Sequence, residues 1–125
     1  MANQRILPAL AALGGFLAVT IGSFGAHAIQ DPQAREWIAT AAQFQLPHSA
    51  AVFALLAWRP HAGAVRLSAW LLALGSLAFA GSLQALGLGA PRAVAMLAPV
   101  GGTVMAAGWA ILAIAALSGA ARIRR

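Results

Sequence analysis

His48 is the side chain in this sequence best suited to chemistry. It follows Pro47 directly, near the middle of a charge-free run from Trp37 to Trp58. An imidazole can donate or accept a hydrogen bond, ligate a metal or act as a base. Proline at position 47 removes one helix hydrogen bond and frees a carbonyl that needs another partner. At about 100° per residue, Trp37, Ala41, Phe44 and His48 form one stripe, with Gln45 at its flank. Two roles compete for this patch. One is a small polar pocket around His48 and Gln45. The other is hydrogen bonding between helices and nothing more, the commoner use of polar groups facing a bundle interior. In either role His48 is expected to be neutral and to face the interior beside Gln45.

The remaining chemistries lack their parts. His27 belongs to the end of the first apolar run and His48 lies deep in the second. A hairpin turning near Gln33 separates them by roughly 13 Å along the bundle, too far to share one iron or zinc. His61 sits in the following loop, and the chain has no cysteine. Three converging ligands are therefore not expected in one subunit, and no metal or cofactor is assigned. Ser49 adjoins His48 in sequence, and adjacent helical residues do not face each other. No phosphate loop or metalloprotease motif is legible, so no catalytic residue is assigned. No Asp, Glu, Lys or Arg interrupts any apolar run, which weakens the case for proton-coupled transport.

Composition dictates the elements that carry these residues. The 125 residues are 62% hydrophobic and 8% charged, against about 25% charged in a soluble domain. A soluble enzyme, a disordered regulator and a disulfide scaffold are excluded together. The net charge of +6 comes from arginines that punctuate long apolar runs sparsely, not gathered on a polar face as nucleic-acid binding requires. Crossing the hydrocarbon takes about 20 helical residues. The spacing predicts spans over residues 6–29, 37–58, 67–90 and 94–118 of a single domain, 1–125. Short turns at Asp31-Pro32, Arg59-Pro60-His61 and Gly89-Ala90-Pro91-Arg92 make neighbours antiparallel. The expected fold is all-α: an integral membrane bundle of four antiparallel transmembrane helices. Ala26-His27-Ala28 imitates a signal cleavage site, but the preceding apolar run exceeds the usual signal core and reads as a span.

Four spans place Arg5, Arg59, Arg66, Arg122, Arg124 and Arg125 on one side, and Arg35 and Arg92 on the other. The positive-inside rule then predicts cytoplasmic N- and C-termini. Trp37, Trp58 and Trp70 fall near span ends, where indole prefers the headgroup layer. Helices in lipid associate where small residues let backbones approach. Gly14, Ala18, Gly22 and Ala26 make one such stripe, and Ala98, Gly102, Ala106 and Ala110 a second, with Gly101 beside Gly102 also assigned to helix packing. Both are expected to be helix–helix contacts, within the chain or with another copy.

One further pattern runs through nearly the whole chain. Ser23-Phe24-Gly25-Ala26-His27 is followed by Trp37, Thr40, Phe44-Gln45 and His48. Gly81-Ser82-Leu83, Pro99-Val100-Gly101-Gly102 and Ala107-Gly108-Trp109 then come in order. This resembles the small bacterial membrane proteins grouped as domain of unknown function 423, related to eukaryotic transmembrane protein 256. The resemblance implies a four-helix inner-membrane protein and brings no activity, substrate or cofactor with it. The chain departs from the family pattern at Ala80, where serine is usual, at Gln84, where an aromatic is usual, and at Ala98, where threonine is usual. It implies a shared layer as well: His27, Trp37, Gln45, Ser82, Gln84 and Pro99 to Gly102 fall in the outer half of the membrane.

The expectation is a non-enzymatic inner-membrane bundle that self-associates or supports a membrane complex, partnered by the bilayer and by no nucleic acid. The alternative is a small-molecule, lipid or quinone binding or transport protein. Its outer-half pocket would draw on His48, Gln45, His27, Trp37, Ser82 and Gln84. An enzyme using His48 as a base comes third.

Overall fold

The structure, a computed structural model, describes the backbone of residues 3–123 and the side chains of residues 4–119. Arg124 and Arg125, and the side chain of Arg122, lie outside the described residues. The fold is all-α. Four helices run α1 (Asn3–Ala28), α2 (Pro32–Trp58), α3 (Gly63–Gly87) and α4 (Leu97–Ile123), with a short 3-10 turn, Arg92–Met96, leading into α4. At 1.5 Å per residue each helix exceeds about 35 Å, longer than the hydrocarbon is thick. Gln4–Ala28, Gly63–Gly87 and Arg92–Gly119 are long and apolar enough to cross a membrane. The second helix is as long but more polar, carrying Arg35 and Glu36 near its start and Thr40, Gln43, Gln45, His48 and Ser49 beyond.

Local chemistry sets the boundaries. Asp31 caps α2, its side chain accepting from the Ala34 N–H at 2.9 Å, and Pro32 occupies the first turn, where no N–H is needed. The third helix stops at Gly87, short of the expected residue 90. Leu88, Gly89 and Ala90 turn their N–H groups back onto carbonyls of residues 84 to 86. Gly89 adopts φ 101°, a left-handed conformation that glycine alone enters at no steric cost. The fourth helix starts at Leu97, later than the expected 94, because the 3-10 turn after Pro91 takes up the intervening residues. Pro99 then falls in its first turn, where proline is tolerated.

The helices do not pack as a closed square. The third helix is central and touches the other three; α1 packs on α2 and α3, and the α4 backbone approaches only α3 and the 3-10 turn. A core of Leu7, Ala11, Val52, Leu55, Val65, Ala69, Leu72 and Ala73 joins α1, α2 and α3. Large apolar side chains point outward elsewhere, Phe16 at 63% exposed, Ile114 at 65% and Leu117 at 79%. Such a surface suits lipid and not water.

Small residues set the spacing between helices, on a different register from the expected stripes. The buried face of α1 is Leu7, Ala11, Gly14, Ala18 and Gly25, while Gly22 is half-buried and Ala26 is exposed. A stripe drawn every four residues drifts around a helix of 3.6 residues per turn, so the contact line steps back to Gly25. A Cβ at Gly25 would come within 2.6 Å of Ile38, and one at Gly14 within 2.6 Å of the Ser49 hydroxyl. On α4 the buried line is Gly101, Met105, Gly108 and Gly119, with Gly102 half-buried and Ala106 and Ala110 exposed. Gly101 is the tight point. A Cβ there would strike the Phe79 backbone nitrogen and lie 2.7 Å from the Gly75 carbonyl. Gly75 meets it from α3, its own Cβ position being 2.9 Å from the Gly101 carbonyl.

Candidate functional site

Gln45 is fully buried near the middle of α2, and Gln84 is buried near the end of α3. Gly87 abuts Ile38, so in this antiparallel pair Gln84 is level with about Ala41, roughly 6 Å from Gln45 along the axis. Helical side chains lean toward their own N-terminus. In antiparallel helices the two glutamines therefore lean toward each other and close the offset. The Gln84 Nε2 amide donates to Gln45 Oε1 at 2.8 Å. Gln45 Nε2 has no partner, the one buried side-chain polar atom among the described residues so placed. It points toward the α1 face at Gly14, whose Cβ position lies 3.8 Å away.

His48 does not join that pair. Its ring is half-buried and turns toward α4, where the Trp109 indole Nε1–H donates to His48 Nε2 at 3.0 Å. Indole is a donor only, so His48 Nε2 accepts and carries no proton. The proton is then on Nδ1, which donates to the Phe44 carbonyl at 2.6 Å. Pro47 frees the carbonyl of Gln43, four residues back, and His48 uses the next one along. Both ring nitrogens are thus committed within the protein, and the one lone pair a base or metal ligand needs is taken by Trp109. Phe44 and Trp109 flank the ring, and Phe79 packs on Phe44. Phe44 meets Phe79 edge-on at 4.9 Å between centroids, and His48 meets Trp109 edge-on at 5.8 Å.

The other expected site residues scatter. Ser82 is buried and donates to the Phe79 carbonyl of its own helix at 2.7 Å. Trp37 is half-buried, and His27 is exposed at the end of α1. Ser68, Ser76, Thr20 and Thr103 each donate to a carbonyl three or four residues back, the usual way for hydroxyls to satisfy themselves inside a helix. Among the described residues no three His, Asp or Glu side chains gather as metal ligands. The six expected residues therefore yield one bonded pair, Gln45 with Gln84, and a second centre at His48 whose partner, Trp109, sequence reasoning had not assigned. The signal was present: Trp109 lies in mid-helix, far from the interfacial belts, and an indole N–H at that depth needs an acceptor.

Residues 21–102 match the family model described as protein of unknown function, DUF423. The chain belongs to this family. Among curated relatives, the UPF0382 inner membrane protein YgdD of Escherichia coli K12 is 35% identical over 132 residues, covering 98% of this chain and 95% of the relative. A UPF0382 membrane protein of Haemophilus influenzae is 39% identical over 110 residues, covering 83% and 87%. The UPF0382 membrane protein C1782.12c of Schizosaccharomyces pombe is 34% identical over 114 residues, covering 84% and 96%. No solved structure matches. The matched residues include Gln45, Gln84 and His48, and Trp109 lies beyond them.

Proposed function

We propose that this DUF423 protein is a non-enzymatic, multi-pass inner-membrane bundle that associates with further copies of itself or supports a membrane complex. All four helices cross in this reading, α2 included, because it packs along two helices apolar enough to span and is joined to each by a short turn. Both termini are cytoplasmic, from six arginines against two. One observation carries the functional reading. The two side-chain-to-side-chain hydrogen bonds between helices among the described residues, Gln84 to Gln45 and Trp109 to His48, hold α2 to α3 and α2 to α4 and leave His48 no lone pair for chemistry. The outward side of α4 supports association, since among the described residues the α4 backbone approaches no long helix but α3 and the helix exposes Val100, Ile114 and Leu117.

A small-molecule site is the second reading, favoured by the unpartnered Nε2 of the buried Gln45. Native mass spectrometry of the gently extracted protein tests both readings, because it reports copy number and retained ligand in one spectrum. The first reading expects more than one copy. A monomer that carries a small molecule supports the second.

A further inference from the structure

The turn from α1 to α2 stands over a groove of about 450 Å³ whose lining changes with depth. Gly22 and Ala26 of α1 face Ile38 and Ala39 of α2 and make an apolar channel, while Arg35 and Glu36 stand at its mouth. The channel owes its width to short side chains: Ala26 and Ala39 are exposed and cover little of their helices. The mouth is within the first two turns of α2, one residue from Trp37, at the depth where aromatic and charged side chains meet headgroups.

The charges at the mouth are held apart. Arg35 donates one guanidinium N–H to the Ala26 carbonyl at 3.1 Å, where the carbonyl end of α1 favours a cation. That bond fixes the guanidinium over the groove and leaves its other donors open, since an arginine has five. Glu36 is the next residue of the helix, and adjacent helical residues do not face each other. The mouth therefore offers a positive and a negative group side by side above an apolar channel.

We propose that this groove holds one phospholipid with an amine-bearing headgroup. The phosphate binds the Arg35 guanidinium, the ammonium lies against Glu36, and an acyl chain runs along Gly22, Ala26 and Ala39. Guanidinium matches phosphate oxygens with paired donors. A lipid with an uncharged glycerol headgroup offers Glu36 nothing to pair with and brings its negative phosphate close to that carboxylate. Free phosphate would use Arg35 but has no use for the channel.

Native mass spectrometry from bilayers of equimolar phosphatidylethanolamine and phosphatidylglycerol tests this directly. The parent chain should retain one phosphatidylethanolamine, preferred about fivefold or more, the scale of one favourable exposed ion pair. Glu36→Gln should bring the two lipids near parity. Ala39→Leu should fill the channel and abolish retention of either, and Ala26→Leu repeats the block from the α1 wall, so misfolding of one variant leaves the other to decide. Retention in the ratio supplied would overturn the proposal, as would undiminished retention in a folded leucine variant. Displacement of the lipid by inorganic phosphate would reduce the site to an anion contact and overturn it as well.

Discussion

The indole N–H of Trp109 reaches His48 Nε2 at 3.0 Å although α2 and α4 have no backbone approach to each other. The bond ties together two helices whose backbones pack on α3 and not on each other. Its worth is measurable by a double-mutant cycle of His48→Leu and Trp109→Phe. Coupling near 0.6 kcal/mol, and at most about 1.7, is expected from the range for such bonds in membrane helices. His48→Gln keeps an acceptor and should lose less stability than His48→Leu. Strict additivity of the two single variants would show that the bond holds nothing.

Gln84→Leu should be costlier than its position near the end of α3 suggests. It strands the whole amide of Gln45, already unpartnered at Nε2, and a buried unsatisfied group costs about 1–3 kcal/mol. Replacing both glutamines by leucine removes the stranded group. The double variant should therefore unfold at higher denaturant than Gln84→Leu alone. A double variant weaker than either single one would contradict the account of the pair.

Two adjacent glycines of α4 should behave oppositely. Gly101→Ala places a methyl against the Phe79 and Gly75 backbones, and forcing a methyl into such a packed contact costs about 1–3 kcal/mol. Gly102→Ala meets only the Phe79 ring at 4.0 Å and gains up to about 1 kcal/mol in helix propensity. Thermal stability in detergent should fall for the first and hold or rise for the second. Equal losses would mean that both positions are packed.

Gln33, in the first turn of α2, and Gly63, the first residue of α3, lie at opposite ends of the bundle. Cysteine at position 33 should react with an impermeant thiol reagent added to intact cells, and cysteine at position 63 should react only after lysis. The reverse pattern would put the termini outside and move the Arg35–Glu36 groove to the cytoplasmic leaflet.

The sequence carried the helices more securely than their contacts. Charge-free runs and Asp31-Pro32 mark where helices lie and turn, because a charge or an N-cap acts locally. Which residues touch depends on the rotation of each helix about its axis, and a four-residue stripe fixes that rotation only over a few turns. Ala26 was lost from the contact line of α1 for this reason and Gly25 took its place; of the two α4 glycines assigned to packing, Gly101 makes the tight contact and Gly102 does not. Gln45 and Gln84 were singled out separately, since each is polar in an apolar run. Their bond depends on the antiparallel lean of two side chains, which no single helix reveals. His48 is the plainest case. Its partner lies sixty-one residues away, on a helix that the positions around His48 do not specify.

The central claim is that the polar groups of these helices serve association and not chemistry. Native mass spectrometry of the parent beside His48→Gln, both gently extracted from the membrane, measures it most directly. The account predicts more than one copy of the chain in the parent, and no bound small molecule whose retention depends on His48. A monomeric parent that carries a small molecule lost in His48→Gln would contradict it.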